Sequence, residues 1–137
     1  MDQTVIDKIK ASFARQSYMT TLGAALDHIE NGSVSIRAPM SDHILQQHGF
    51  AHAGVAFSMG DSAAGYAALT LMPAEAEVLT TEMKINLLAP ASGDAIIARG
   101  RVIKAGRRLT IVGADVFART GDQEKHIAIL QGTMISS

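Results

Sequence analysis

The feature that most constrains this chain is an apolar run from Val55 to Met72, closed by Pro73 and interrupted by a single charged residue, Asp61. A run of roughly eighteen residues, apolar on all sides and rich in good helix formers, predicts a helix buried in a core. Pro73 forbids its continuation. An ionised carboxylate in such a setting is costly unless it is hydrogen-bonded, paired, or reached by substrate and water. Asp61 is therefore the most informative residue in the sequence.

The run approaches the ~20 residues needed to cross a bilayer. Its alanine and glycine content, the mid-run Asp61 and the lack of flanking aromatic or basic anchors argue for protein core instead. A length of 137 residues suits one domain, with residues 1–22 as an N-terminal helical segment. Twelve basic against thirteen acidic residues leave a net charge of −1, so no global field attracts nucleic acid or an anionic membrane. The absence of cysteine excludes a disulfide framework, a thiolate nucleophile and cysteine-held metal. Asp2, Asp7, Lys8, Lys10 and Arg15 break up the N-terminal apolar positions, unlike a secretory signal, and the expected compartment is the cytoplasm.

Val5, Ile6, Ile9 and Phe13 fall at helical spacing and predict an amphipathic surface helix over residues 2–16. Asn31-Gly32 between two short alternating runs predicts a β-hairpin with a type I′ turn, its second strand ending at Pro39. Residues 40–52 read as a structured loop. Beyond Pro73 the pattern is β throughout: 77–89, 93–104, 109–118 and 127–135, expected as a four-stranded antiparallel meander. The sum is an α+β fold in which a six-stranded antiparallel sheet wraps one long central helix, with an N-terminal helix outside.

His52-Ala53-Gly54 followed by Asp61, Thr80 through Met83 to Pro90-Ala91 and Gly93-Asp94, then Gly106-Arg107-Arg108-Leu109 and Gly132-Thr133, carry a resemblance. From about Gly23 to the C-terminus the chain resembles the hotdog-fold thioesterases, and within them the PaaI-like acyl-CoA thioesterase family. The resemblance implies hydrolysis of an acyl-CoA thioester at the interface of a homodimer or homotetramer, without cofactor or metal. It implies Asp61 as general base or nucleophile, facing His52 and the Ala53 or Gly54 N–H of the partner subunit. Thr80 stands where the family often has a Ser or Thr near the attacking water.

Two positions depart from the family pattern: Ala53 replaces the first glycine of a His-Gly-Gly, and Gln46 the usual asparagine. Arg99, Arg101, Lys104, Arg107 and Arg108 form an acid-free basic window; Lys104, Arg107 and Arg108 are candidates for the CoA phosphates. His43, His48 and His52 do not make a metal set, because Gly49 interrupts any helix aligning them. A hotdog hydratase would carry a His-Phe-Pro signature that is absent here. A non-catalytic acyl-CoA-binding regulator would generally carry a DNA-binding segment, for which the chain has no basic helix.

Overall fold

The computed structural model describes residues 1–137. In chain order the elements are α1 (Gln3–Ala14), α2 (Ser17–Leu22), β1 (Ala25–Glu30), β2 (Ser33–Pro39), a 3-10 turn (Asp42–Ile44), α3 (Ala53–Leu69), β3 (Val78–Leu87), β4 (Ala95–Ala105), β5 (Leu109–Thr120) and β6 (Gln123–Ser136). The expected N-terminal helix is two helices. Asp2 starts α1 by accepting the Thr4 N–H at 2.9 Å, Gln16 turns extended, and Gly23 closes α2 at φ 71°. No apolar period marks α2, so only its C-terminal glycine signals it.

The β1–β2 hairpin forms where expected, but its turn is not type I′. Gly32 has φ +77° while no non-glycine residue has positive φ, so Asn31 stays in the ordinary region. The central helix ends at Leu69, before Pro73. The Thr70 hydroxyl donates to the Ala67 carbonyl at 2.6 Å and accepts the Gly32 N–H at 2.8 Å, tying the helix end to the hairpin. Strand β6 is longer than expected, starting at Gln123 immediately after the Gly121-Asp122 turn.

All six strands lie in one antiparallel sheet of order β1-β2-β4-β5-β6-β3. The four-stranded meander is therefore corrected to three strands, β4-β5-β6. Strand β3 pairs with β6 at the far edge, and β2 pairs with β4. Alternating hydrophobicity specifies that a segment is a strand and which face is apolar; it carries no information on which neighbour takes its edge.

One face of the sheet packs on α3 through Ile36, Ile96, Ala98, Val116, Leu130 and Met134, all buried. Burying these side chains against the helix supplies most of the folding drive, at ~25 cal/mol per Å² of apolar surface. Close approach is achieved at Gly100, where a Cβ would lie 2.3 Å from the Ala63 backbone carbon. The outer face is polar. Glu124 accepts from Arg99 at 2.7 and 2.8 Å and from Arg119 at 2.7 Å, and Asp115 pairs with Arg101 at 2.6 Å and His126 at 3.0 Å. Two of the five clustered basic residues, Arg99 and Arg101, are thus neutralised within the chain.

The central helix is not covered on all sides, as its composition implies. Phe57 is 37% exposed, and Ser58 and Asp61 are half-buried beside it. At 100° per residue, Gly54, Phe57, Ser58 and Asp61 share one strip of α3. That strip is only partly covered: Ser58 donates to the Tyr18 hydroxyl of α2 at 3.2 Å and Asp61 accepts from Thr80 of β3 at 2.7 Å, while Phe57 stays exposed.

Candidate active site

The start of α3 is held by a set of backbone bonds. The Ala51 N–H donates to Ala91 O at 2.9 Å and the His52 N–H to Ile44 O at 2.8 Å. Loop 46–50 is tightened by Gln46, whose side-chain Oε1 accepts the His48 N–H at 2.6 Å. Because the oxygen is engaged there, the Gln46 amide nitrogen is the free end, and the residue lines an adjacent cavity of about 500 Å³.

His52 is the N-cap of α3. Its Nδ1 accepts the Gly54 N–H at 2.8 Å, which requires the neutral imidazole with its proton on Nε2. The ring lies so close that a Cβ at residue 54 would press to 3.0 Å from Nδ1, which explains the glycine. The Val55 N–H bonds to His52 O at 2.9 Å. From Ala51 to Val55, the N–H of every residue except Ala53 is therefore occupied. The exposed Ala53 N–H points out of the helix start, where aligned peptide dipoles favour negative charge.

The cavity beside it is mostly apolar. Phe50, Ala56, Leu87, Leu88, Ile96 and Ile127 form its walls, with His52 and Gln46 at its polar rim.

Asp61 lies elsewhere, two turns further along α3. Its Oδ1 accepts the Thr80 hydroxyl at 2.7 Å, linking the helix to the edge strand β3. A second, polar recess of about 210 Å³ opens beside this pair. Ala53 and Asp61 are eight residues apart, about 12 Å along the helix axis, so no single carbonyl can touch both within one chain. Of the expected site residues, the structure brings together Asp61 with Thr80, and Gln46 with His52, Ala53 and Gly54, in two separate groups.

Lys104, Arg107 and Arg108 are exposed around the β4–β5 turn and make no ion pair. Their end of the sheet is the one where β3 begins: Leu109 pairs with Ile135, which pairs with Leu79. Met59 and Tyr66 are buried core, while Leu87 lines the larger cavity. Ser12, Gln16 and Tyr66, which wall the recess beside Asp61, carry no sequence signal of this role. Ser12 and Gln16 come from the N-terminal segment, more than forty residues from Asp61, and meet Tyr66, just over one turn beyond Asp61 on α3, only through tertiary packing.

This arrangement has known counterparts. Residues 48–125, more than half of the chain, match the thioesterase superfamily. The crystal structure of a thioesterase family protein from Silicibacter pomeroyi superposes with a TM-score of 0.94 at 43% identity, covering 96% of this chain and 97% of that one. A conserved protein from Pseudomonas aeruginosa gives 0.81 at 30% identity, covering 89% and 94%. The PaaI protein from the phenylacetic acid degradation operon of E. coli gives 0.87 at 19% identity, covering 98% and 94%, a likeness of fold. The fold, the motif-bearing segment and these likenesses agree: the chain belongs to the thioesterase superfamily, with the hotdog architecture.

Proposed function

We propose that the protein hydrolyses acyl-CoA thioesters in sites shared between two subunits, with Asp61 as general base and the partner subunit's Ala53 N–H as oxyanion donor. The observation that carries this reading is the separation of the two groups. On this reading each is half of a site, and they lie about 12 Å apart on one helix.

The edge strand supplies the geometry that would join them. Strand β3 passes Asp61 near its start, at Thr80, and ends at the apolar cavity, at Leu87. Its outer edge is free, and Leu79 and Leu87 are 60% and 58% exposed. A long exposed apolar edge is a template for pairing. Two copies related by a two-fold axis and paired through antiparallel β3 strands would set each Thr80 end against the other copy's Leu87 end. Asp61 of one subunit would then face Ala53, Gln46 and the apolar cavity of the other. A homodimer satisfies this, as does a tetramer built from two such dimers.

The chemistry follows from these groups. Asp61 takes a proton from water as the water oxygen adds to the thioester carbonyl. The developing oxyanion is held by the Ala53 N–H and the dipole of α3, with the Gln46 amide nitrogen as a second donor. The tetrahedral intermediate collapses with cleavage of the C–S bond. The leaving thiolate recovers the proton from Asp61, giving free acid and CoA thiol. Thr80 holds Oδ1, leaving Oδ2 directed to the water. His52 acts by positioning: its cap fixes the first turn of the helix and occupies Gly54, so that Ala53 presents the free donor. Lys104, Arg107 and Arg108, exposed and without an ion pair, would meet the CoA phosphates.

The test is thiol release from a panel of short, long and aromatic acyl-CoA substrates by wild type and Asp61→Asn. Release by wild type and its loss in the variant, with the oligomer intact, supports the reading; full activity in Asp61→Asn contradicts it. Single turnover in ¹⁸O-water separates the two roles for Asp61. Label in the Asp61 carboxylate can arise only from an anhydride opened at the Asp61 carbon and so marks a nucleophile, whereas a general base leaves Asp61 unlabelled and puts the label into the product acid.

A further inference from the structure

The recess beside Asp61 differs in character from the apolar cavity at the start of α3. Its walls include Ser12 of α1, Gln16 before α2, Ser62 of α3 and Glu77 before β3. Tyr66 is buried with its hydroxyl engaged on this side, accepting from Gln16 Nε2 at 2.8 Å and lying 3.0 Å from Ser12 Oγ. Since the Tyr66 oxygen accepts from Gln16, its own proton is free to go to Ser12, whose hydroxyl hydrogen is then available to the recess. Glu77 on its wall is exposed, so the recess reaches solvent there.

We propose that this recess is the compartment through which hydrolytic water reaches Asp61, kept apart from the acyl chain. The proposal rests on the reading of Asp61 as general base. A volume of about 210 Å³ holds roughly seven waters at ~30 Å³ each. Polar walls supply the two to four partners that ordered water requires. An apolar acyl chain in the same space would strip water from Ser12, Ser62 and Glu77 without replacing their hydrogen bonds. The larger apolar cavity offers the acyl chain a better-matched place.

The two cavities thus divide the reaction: substrate from the partner's apolar side, water from the polar side, meeting at the Asp61 carboxylate. The division also gives the N-terminal helices a task. They close the water side of the site through Ser12 and Gln16, rather than only covering the core.

Filling the recess tests this. Ser62→Leu fills it from α3 and Ser12→Leu from α1, the opposite wall, so that failure of one variant to fold leaves the other to decide. In the folded dimer, acyl-CoA hydrolysis is expected to lose about tenfold or more in kcat while KM stays within about twofold, because water supply and not thioester binding is impaired. An unchanged kcat in a folded variant overturns the proposal. A raised KM with unchanged kcat also overturns it, and would assign the recess to the acyl group. Asp61→Asn run alongside separates the two levels. Full activity there removes the general-base reading itself, whereas an inactive Asp61→Asn with a fully active Ser62→Leu removes only the water compartment.

Discussion

The Thr80 hydroxyl donates a hydrogen bond to Asp61 Oδ1 at 2.7 Å, so the one carboxylate of the central helix is anchored to the strand at the sheet's free edge. A carboxylate with one oxygen fixed keeps its second oxygen for water, and its orientation is no longer free. Thr80→Val keeps the shape and removes the donor. Its kcat is expected to fall about ten- to a hundredfold with KM unchanged, and Thr80→Ser to restore most of it. Steady-state kinetics on the best acyl-CoA substrate check this; an unchanged kcat in Thr80→Val shows that the bond is only structural.

Ala53 offers an unusually clean substitution. Proline is favoured at the first position of a helix, and it requires an extended residue before it; His52 has φ −61° and ψ 141°. Ala53→Pro should therefore fold with an unchanged melting temperature. It deletes the one free N–H at the helix start, and kcat is expected to drop about a hundredfold or more. Calorimetry and thiol release together check both halves. Wild-type activity in the variant moves the oxyanion donor elsewhere.

How much of this is written in the sequence varies with the kind of interaction. The central helix is legible because alanine-rich apolar composition acts locally, and Asp61 stands out because a lone charge there violates that composition. The position of β3 is not legible, since Leu79, Met83 and Leu87 say only that the segment is a strand. Its pairing with β6, rather than with the next strand β4, is a choice among sheet edges made by the closed core. The two-part site is half legible. The nine-residue spacing of His52 and Asp61 marks both, yet only the geometry shows that the His52 ring occupies the Gly54 N–H and leaves Ala53 free. Gln46 stands in the sequence as a departure from the family's asparagine; in the structure its side-chain oxygen braces the loop, and the residue lines the cavity.

Gly100→Ala adds a single methyl where β4 touches the backbone of α3. The Cβ would sit 2.3 Å from the Ala63 carbon, and backbone on both sides cannot give way cheaply. A loss of about 3 kcal/mol is expected, at the upper end of the usual cost of overpacking. Urea denaturation measures it, and a loss below the error of the method contradicts the packing described.

On the outer face, hydrogen bonds from Arg99 and then Arg119 hold the Glu124 carboxyl at about 2, below its ordinary 4.5. A depressed folded value means stability that is present above pH 4.5 and lost as pH falls toward 2. The arginines are partly solvent-exposed, so screening limits the contribution to about 1 kcal/mol. Glu124→Gln is expected to lose that amount at pH 7 and to show a shallower acid transition between pH 4.5 and 2. Parallel slopes for the two proteins contradict the assignment.

The central claim is that each site takes Asp61 from one subunit and Ala53 from the other, and co-expression of Asp61→Asn with Ala53→Pro tests it most directly. Each variant alone is expected to be inactive. In a mixed dimer, one of the two sites combines the intact Asp61 of the Ala53→Pro chain with the intact Ala53 of the Asp61→Asn chain. With random pairing half of the dimers are mixed and half of their sites are whole, so about one quarter of wild-type kcat per subunit should return. Recovery to that level is the expected result; mixed dimers that remain as inactive as either parent would contradict a shared site.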